Sequence, residues 1–164
     1  TTYINLGGIY QDLGNLDQAL ASTLKSLELE PNNPSTLANL GDLKLAKGKQ
    51  REALLHLSHA LSLDPKNAPA HAAQGEIYWE NGNLDEAEKE LSLATKLKPY
   101  IASYHRKLCH LLCAKGEIER AKKSQEAALA LEKFSNENKL MSLILKYKSK
   151  KIATSRASHF DQYD

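Results

Sequence analysis

Three side chains in the second half of the chain have the types and the spacing of metal ligands. His105, Cys109 and Cys113 follow one another at intervals of four residues, so on a helix they would lie along one stripe. An imidazole and two thiolates arranged in this way could bind zinc, and His110 lies beside them. Because no fourth ligand is evident in the sequence, we predict no metal and no cofactor.

The two cysteines are expected to be free thiols. Cys109 and Cys113 are four residues apart on one predicted helix, so a disulfide between them would distort that helix. Free thiols are typical of a reducing compartment, and the predicted location is therefore cytoplasmic.

The sequence predicts no catalytic residues. Catalysis needs acids, bases and nucleophiles that converge, whereas the six histidines are scattered along the chain. His71 and His105 are 34 residues apart, at the place where a packing residue is expected in each of two similar segments. No glycine-rich phosphate loop is present, because nearly all the glycines belong to the regular pattern described next. We therefore predict that the chain is not an enzyme.

Small and special residues recur along the chain with a period of 34 residues. Self-similarity at such a fixed period predicts a stack of identical supersecondary units. The four series are Gly7, Gly41 and Gly75; Gly14, Gly48, Gly82 and Gly116; Ala19, Ala53, Ala87 and Ala121; and Pro31, Pro65 and Pro99.

Each period is predicted to contain a helix, a short turn, a second helix and a stop. Apolar residues at helical spacing lie on both sides of the glycines of the second series. A glycine in the turn can adopt positive φ at no steric cost, and a proline ends the helix before it. The glycines of the first series lie in mid-helix, so we expect close approach of the two helices there, with the alanine series as the small partners.

The pattern Tyr3, Leu6, Gly7 and Tyr10, followed by Ala19, Ser26 and Pro31, resembles the tetratricopeptide repeat. The resemblance covers about residues 1–133 in four copies. It implies an all-α fold, a right-handed α-solenoid of helix–turn–helix repeats, to which the sequence adds a C-terminal capping helix.

Six segments are predicted. They are repeat 1 at 1–33, truncated at its N-terminus; repeat 2 at 34–67; repeat 3 at 68–101; a degenerate repeat 4 at 102–134; the capping helix at 135–151; and a polar tail or linker at 152–164. Repeat 4 departs from the family pattern at Cys109, Leu112, Gln125 and Lys133. The rival interpretation of 135–151 is a basic amphipathic helix at a membrane surface. Since the chain begins inside a predicted helix without a methionine, we expect a fragment of a longer protein.

In the family that the chain resembles, the first helices of the repeats line a concave groove that binds partners. Mapped by position, the resemblance implies that the groove residues of this chain are Asn5, Gln11, Asn39, Asp42, Glu76, Trp79, Lys107 and His110. Asn5 and Asn39 match the asparagine ladder with which the O-linked N-acetylglucosamine transferase repeats hold a peptide backbone, but Ala73 and Lys107 interrupt it. The carboxylate clamp of chaperone-binding members is largely absent, because Asn39 alone matches it.

Charge and hydropathy favour a protein or peptide as the ligand. Residues 1–132 carry 15 basic and 17 acidic side chains, and residues 133–164 carry 7 basic and 3 acidic ones. This excess is too small to predict nucleic-acid binding. No apolar run approaches the ~20 residues that span a bilayer, so no membrane partner is predicted.

The leading hypothesis is a non-catalytic protein–protein interaction scaffold that binds a peptide segment of a partner in the groove. Two alternatives stay open at this point. One is an accessory repeat region of a larger, transferase-like multidomain enzyme that presents substrate or mediates assembly. The other is self-association, since a truncated first repeat would expose an apolar end able to stack on another copy.

Overall fold

A computed structural model describes residues 2–138 of the chain. Within this range eight helices are joined by short turns, and the predicted all-α solenoid is confirmed. None of the helices between residues 2 and 138 combines the length and the apolar character that a membrane span requires. The helices are α1 (Thr2–Asp12), α2 (Leu16–Leu29), α3 (Pro34–Ala46), α4 (Gln50–Leu63), α5 (Ala68–Glu80), α6 (Leu84–Leu97), α7 (Ala102–Ala114) and α8 (118–138).

The turns and stops have the predicted local causes. Gly14, Gly48, Gly82 and Gly116 have φ between +72° and +80°, a region in which a Cβ would be strained. After each of these turns the chain enters a second helix, which ends two residues before a proline in α2, α4 and α6. The helix limits therefore follow from glycine and proline chemistry within each repeat.

The mid-helix glycines allow two helices to approach closely. A methyl group on Gly41 would lie 2.6 Å from Cδ2 of Leu57 and 3.3 Å from the carbonyl oxygen of Ala53. Gly75 repeats this arrangement, with Cγ of Leu91 at 2.7 Å. The predicted close approach is present, but the alanine series contributes its backbone carbonyl, and the main neighbour is a leucine one turn further along.

The buried core spans the boundaries between repeats. One buried cluster joins α3 and α4 to α5, and includes Leu37, Leu57 and Ile77. A second cluster joins α5 and α6 to α7 and α8, and includes Leu91, Leu111 and Ala121 among others. Each repeat thus depends on its neighbours for burial of its apolar faces, as expected of a solenoid.

The first helices of the repeats form the inner side of the stack. We call α1, α3, α5 and α7 the A helices and the surface that they share the A-helix groove. Neighbouring A helices contact one another, whereas among α2, α4 and α6 no such contact occurs in the described part of the chain. A stack whose elements touch on one side and separate on the other is curved, so the A helices lie on its concave side.

Two ion pairs connect successive repeats at equivalent positions. Lys47 Nζ lies 2.7 Å from Asp17 Oδ1, and Lys115 Nζ lies 2.7 Å from Asp85 Oδ1. The hydrogen bond and charge of each lysine lower the pKa of its aspartate. Both aspartates are largely exposed, so these pairs contribute little to the stability of the fold.

The last described helix differs from the prediction at its end. α8 continues without a break through residues 135–138, where a separate capping helix was predicted to begin. The predicted start at residue 135 is therefore corrected, since the segment that follows Lys133 has no proline or glycine that would end a helix. The rest of that predicted helix and the predicted tail at 152–164 lie outside the described residues.

Candidate functional site

Side chains of neighbouring A helices meet in pairs along the groove. In each pair the second residue comes 31 positions after the first, so the same contact recurs between successive repeats. The pairs are Gln11 with Asp42, Glu76 with Lys107, and Trp79 with His110. Six of the eight predicted groove residues are therefore brought into contact with one another by the stacking.

The three pairs differ in chemistry. The amide of Gln11 donates to the Asp42 carboxylate, and the Glu76 carboxylate forms an ion pair with the Lys107 ammonium. The rings of Trp79 and His110 meet edge to face, with their centroids 6.5 Å apart.

Asp42 also acts across two repeats. Burial lowers the pKa of the Lys107 ammonium, and the charge of Asp42 on α3 opposes that shift. Burial and the same carboxylate raise the pKa of Tyr104 to about 12. Tyr104 was not among the groove residues predicted from the sequence, although a large residue there departs from Thr36 and Ala70 at the equivalent positions.

A cavity of about 300 Å³ opens on the groove between α5 and α7. Its lining residues are Glu76, Trp79, Glu80 and Lys107, and we call it the Trp79 cavity. The indole of Trp79 is half-buried and also packs against the core cluster of repeats 3 and 4. Trp79 therefore both lines the cavity and packs against the core.

The two groove asparagines lie apart from these contacts. Asn5 is exposed on α1, and Asn39 is half-buried on α3. Within residues 2–138 neither side chain forms a hydrogen bond with the protein.

The histidines at the repeated position have structural partners. Nε2 of His71 donates to the carbonyl of Pro65 at 3.0 Å, and Nδ1 lies 2.6 Å from the Glu90 carboxylate. Nε2 of His105 donates in the same way to the carbonyl of Pro99 at 2.8 Å. Each ring joins an A helix to the turn before it, as a packing role requires.

The two cysteines lie in different environments. Cys109 is buried and Cys113 is exposed, and both thiols are free. Burial raises the pKa of the Cys109 thiol. Among residues 2–138 no three His, Cys, Asp or Glu side chains converge as ligands.

Comparison with known proteins shows one family. Two family models, both described as tetratricopeptide repeat, match residues 1–66 and residues 44–106. Among curated proteins, none matches this chain.

Solved structures share the fold. A thermophilic TPR protein of Thermus thermophilus is 25% identical, with a TM-score of 0.69, and the match covers 80% of this chain and 74% of that one. PilF of Pseudomonas aeruginosa is 26% identical, with a TM-score of 0.67 and coverage of 80% and 60%. MamA is 24% identical, with a TM-score of 0.62 and coverage of 83% and 80%.

Proposed function

Because this chain belongs to the tetratricopeptide repeat family, we propose that it binds a peptide segment of a partner protein in the A-helix groove. The fold and the similar proteins support a protein–protein interaction scaffold, and the A-helix groove is the proposed place of binding. The role is non-catalytic, and the Trp79 cavity is the centre of the binding surface.

The Trp79 cavity is the observation that carries this proposal. A ligand site is typically concave, partly apolar and provided with a few polar groups that set orientation. Here an indole provides the apolar wall, and two carboxylates and an ammonium provide the polar groups. Tryptophan is enriched among the residues that dominate binding energy, and Trp79 is the single tryptophan of the chain.

The amides of Asn5 and Asn39 support an extended peptide as the ligand. An amide both donates and accepts, so it can pair with the backbone of a peptide of any sequence. These two side chains lie on α1 and α3, along the groove from the cavity on α5 and α7. A peptide held at both places would run across all four A helices.

Peptide binding is expected to change the fluorescence of Trp79. The immobilised chain is used to select binders from a pool of random linear peptides, and each retained peptide is titrated into the free protein. Because no other tryptophan contributes, burial of this indole by the peptide should shift the emission to shorter wavelength. Calorimetric saturation with no change in emission would place the binding elsewhere and contradict the proposal.

A second candidate function is self-association through the first repeat. Ile9 occupies the position that Leu43, Ile77 and Leu111 hold in the later repeats. Those three side chains are buried, with exposed fractions of 1%, 1% and 0%, whereas Ile9 is 55% exposed. The three internal junctions therefore indicate what this surface accepts, namely the apolar face of a second helix of a repeat.

A second copy of the chain carries such a face. Leu27 and Leu61 pack on the core cluster of repeats 2 and 3, and Leu129 on α8 holds the equivalent position but is exposed. α8 of one copy stacked on α1 of another would repeat the internal junction. Such a head-to-tail contact is not self-complementary, so it adds copies one after another, into a ring or an open chain.

Sedimentation velocity at increasing protein concentration tests the stacking. The average sedimentation coefficient is expected to rise with concentration, and Ile9→Lys should remove the rise because a charge would be buried at the junction. Leu55→Lys is the matched control, since Leu55 is exposed on α4 away from the ends of the stack. A monomer at every concentration, or assembly that survives Ile9→Lys, would exclude this junction.

A further inference from the structure

We infer that the Trp79 cavity binds a cationic side chain, a lysine or an arginine of the partner peptide. This inference rests on the proposed function, because it names the chemistry that the groove selects. It is carried by the charges around the cavity and by the aromatic wall between them.

Carboxylates outnumber cations at this part of the groove. Glu76 and Glu80 line the cavity with Lys107, and Asp42 lies close enough to influence the pKa of Lys107. The two basic side chains of α7 are already paired with carboxylates of the protein. Arg106 lies 3.3 Å from Glu132, and Lys107 forms an ion pair with Glu76. The groove is thus neutralised at α7, and the charge that remains near the cavity is acidic.

Glu80 is the carboxylate that a ligand can use. Its one protein partner in the described range is the Gln50 amide, which is neutral and leaves the negative charge uncompensated. Glu80 is exposed at the end of α5, one residue after Trp79. A cation that enters the cavity therefore meets an unneutralised carboxylate at the rim.

Trp79 suits the rest of a cationic side chain. Lysine and arginine have apolar stems that pack on aromatic surfaces, and their charged groups are attracted to the face of an indole. Lys107 does not itself take the place of the ligand cation at the indole, because its ammonium is paired with Glu76 and its side chain is half-buried. An anionic side chain or a terminal carboxylate would instead be repelled by Glu80 and Asp42.

Selection and titration together test the inference. Peptides retained from the random pool are expected to be enriched in arginine or lysine at one position. For a retained peptide with arginine there, replacement by citrulline, its neutral isostere, should weaken binding about tenfold. The double variant Glu76→Gln, Glu80→Gln should bind both peptides alike, because the acidic excess is gone.

A control variant tests whether the preference for arginine depends on the carboxylates of the cavity, and two different results would contradict the inference. Glu86→Gln removes an exposed carboxylate of α6 outside the cavity and should leave the preference for arginine unchanged. Peptides that bind through Trp79 without enrichment in arginine or lysine would overturn this inference and leave the groove function standing. If no retained peptide depends on Trp79, the proposed function fails and this inference fails with it.

Discussion

Truncation of Leu57 to alanine is expected to lower the free energy of unfolding by about 2–5 kcal/mol. Leu57 is fully buried on α4 and belongs to the cluster that joins repeats 2 and 3. Loss of its side chain leaves a cavity that the rigid helix pair cannot close. Urea denaturation followed by far-ultraviolet circular dichroism measures the change.

The same site predicts that the cost of Gly41→Ala depends on Leu57. In the natural background the new methyl group would lie 2.6 Å from Leu57, and overpacking costs about 1–3 kcal/mol. Once Leu57 is alanine that contact is removed and the carbonyl oxygen of Ala53, at 3.3 Å, is the close neighbour that remains, so Gly41→Ala should cost at least about 0.5 kcal/mol less than in the natural background. The fourth repeat shows the same relation, because Cys109 replaces the glycine where exposed Gln125 replaces the leucine.

Leu55→Ala is the matched control for this cycle. Leu55 lies on the same helix but is largely exposed, so its truncation should change stability by no more than about 0.5 kcal/mol. Strictly additive effects of Gly41→Ala and Leu57→Ala on the free energy of unfolding would mean that a methyl group at position 41 does not contact Leu57.

Trp79→Ala is expected to weaken binding of the retained peptides about 30-fold or more. Truncation of a tryptophan at the centre of an interface commonly costs at least about 2 kcal/mol of binding free energy. Isothermal titration calorimetry measures the affinity, because the variant has no tryptophan to report it.

The Trp79→Ala experiment needs a control for folding and a control for position. The indole also packs on the core of repeats 3 and 4, so the variant should melt at a lower temperature and must be titrated well below that temperature. Tyr100→Ala removes an exposed aromatic side chain in the turn between α6 and α7, and should bind peptides normally. Undiminished affinity of folded Trp79→Ala would contradict the proposed groove function.

The positions of helices and turns were largely predictable because their causes are local. Gly48 adopts positive φ and Pro65 follows the end of α4, and both effects involve neighbouring residues only. The end of repeat 4 was predicted less well. Lys133 replaces a proline there, and without that stop α8 runs through residue 138.

The candidate site was predictable as a set of positions but not as a set of contacts. Membership of the groove follows from repeat position, so Glu76, Trp79 and Lys107 could be named together. Their pairing depends on the distance and angle between successive repeats, which no single repeat encodes. Asp42 contributes to the raised pKa of Tyr104 across two repeats. The sequence gives no sign of this effect except that Tyr104 is larger than the residues at the equivalent positions.

The sequence by itself determined the repeating unit, the stack and the side of the stack on which a ligand would be sought. The tertiary structure decided which charges in the groove remain uncompensated. Glu76 and Lys107 neutralise each other only because α5 and α7 lie side by side, whereas Glu80 meets a neutral amide of α4. Composition counts charges, but distance determines which of them cancel, and distance is set by how the repeats pack.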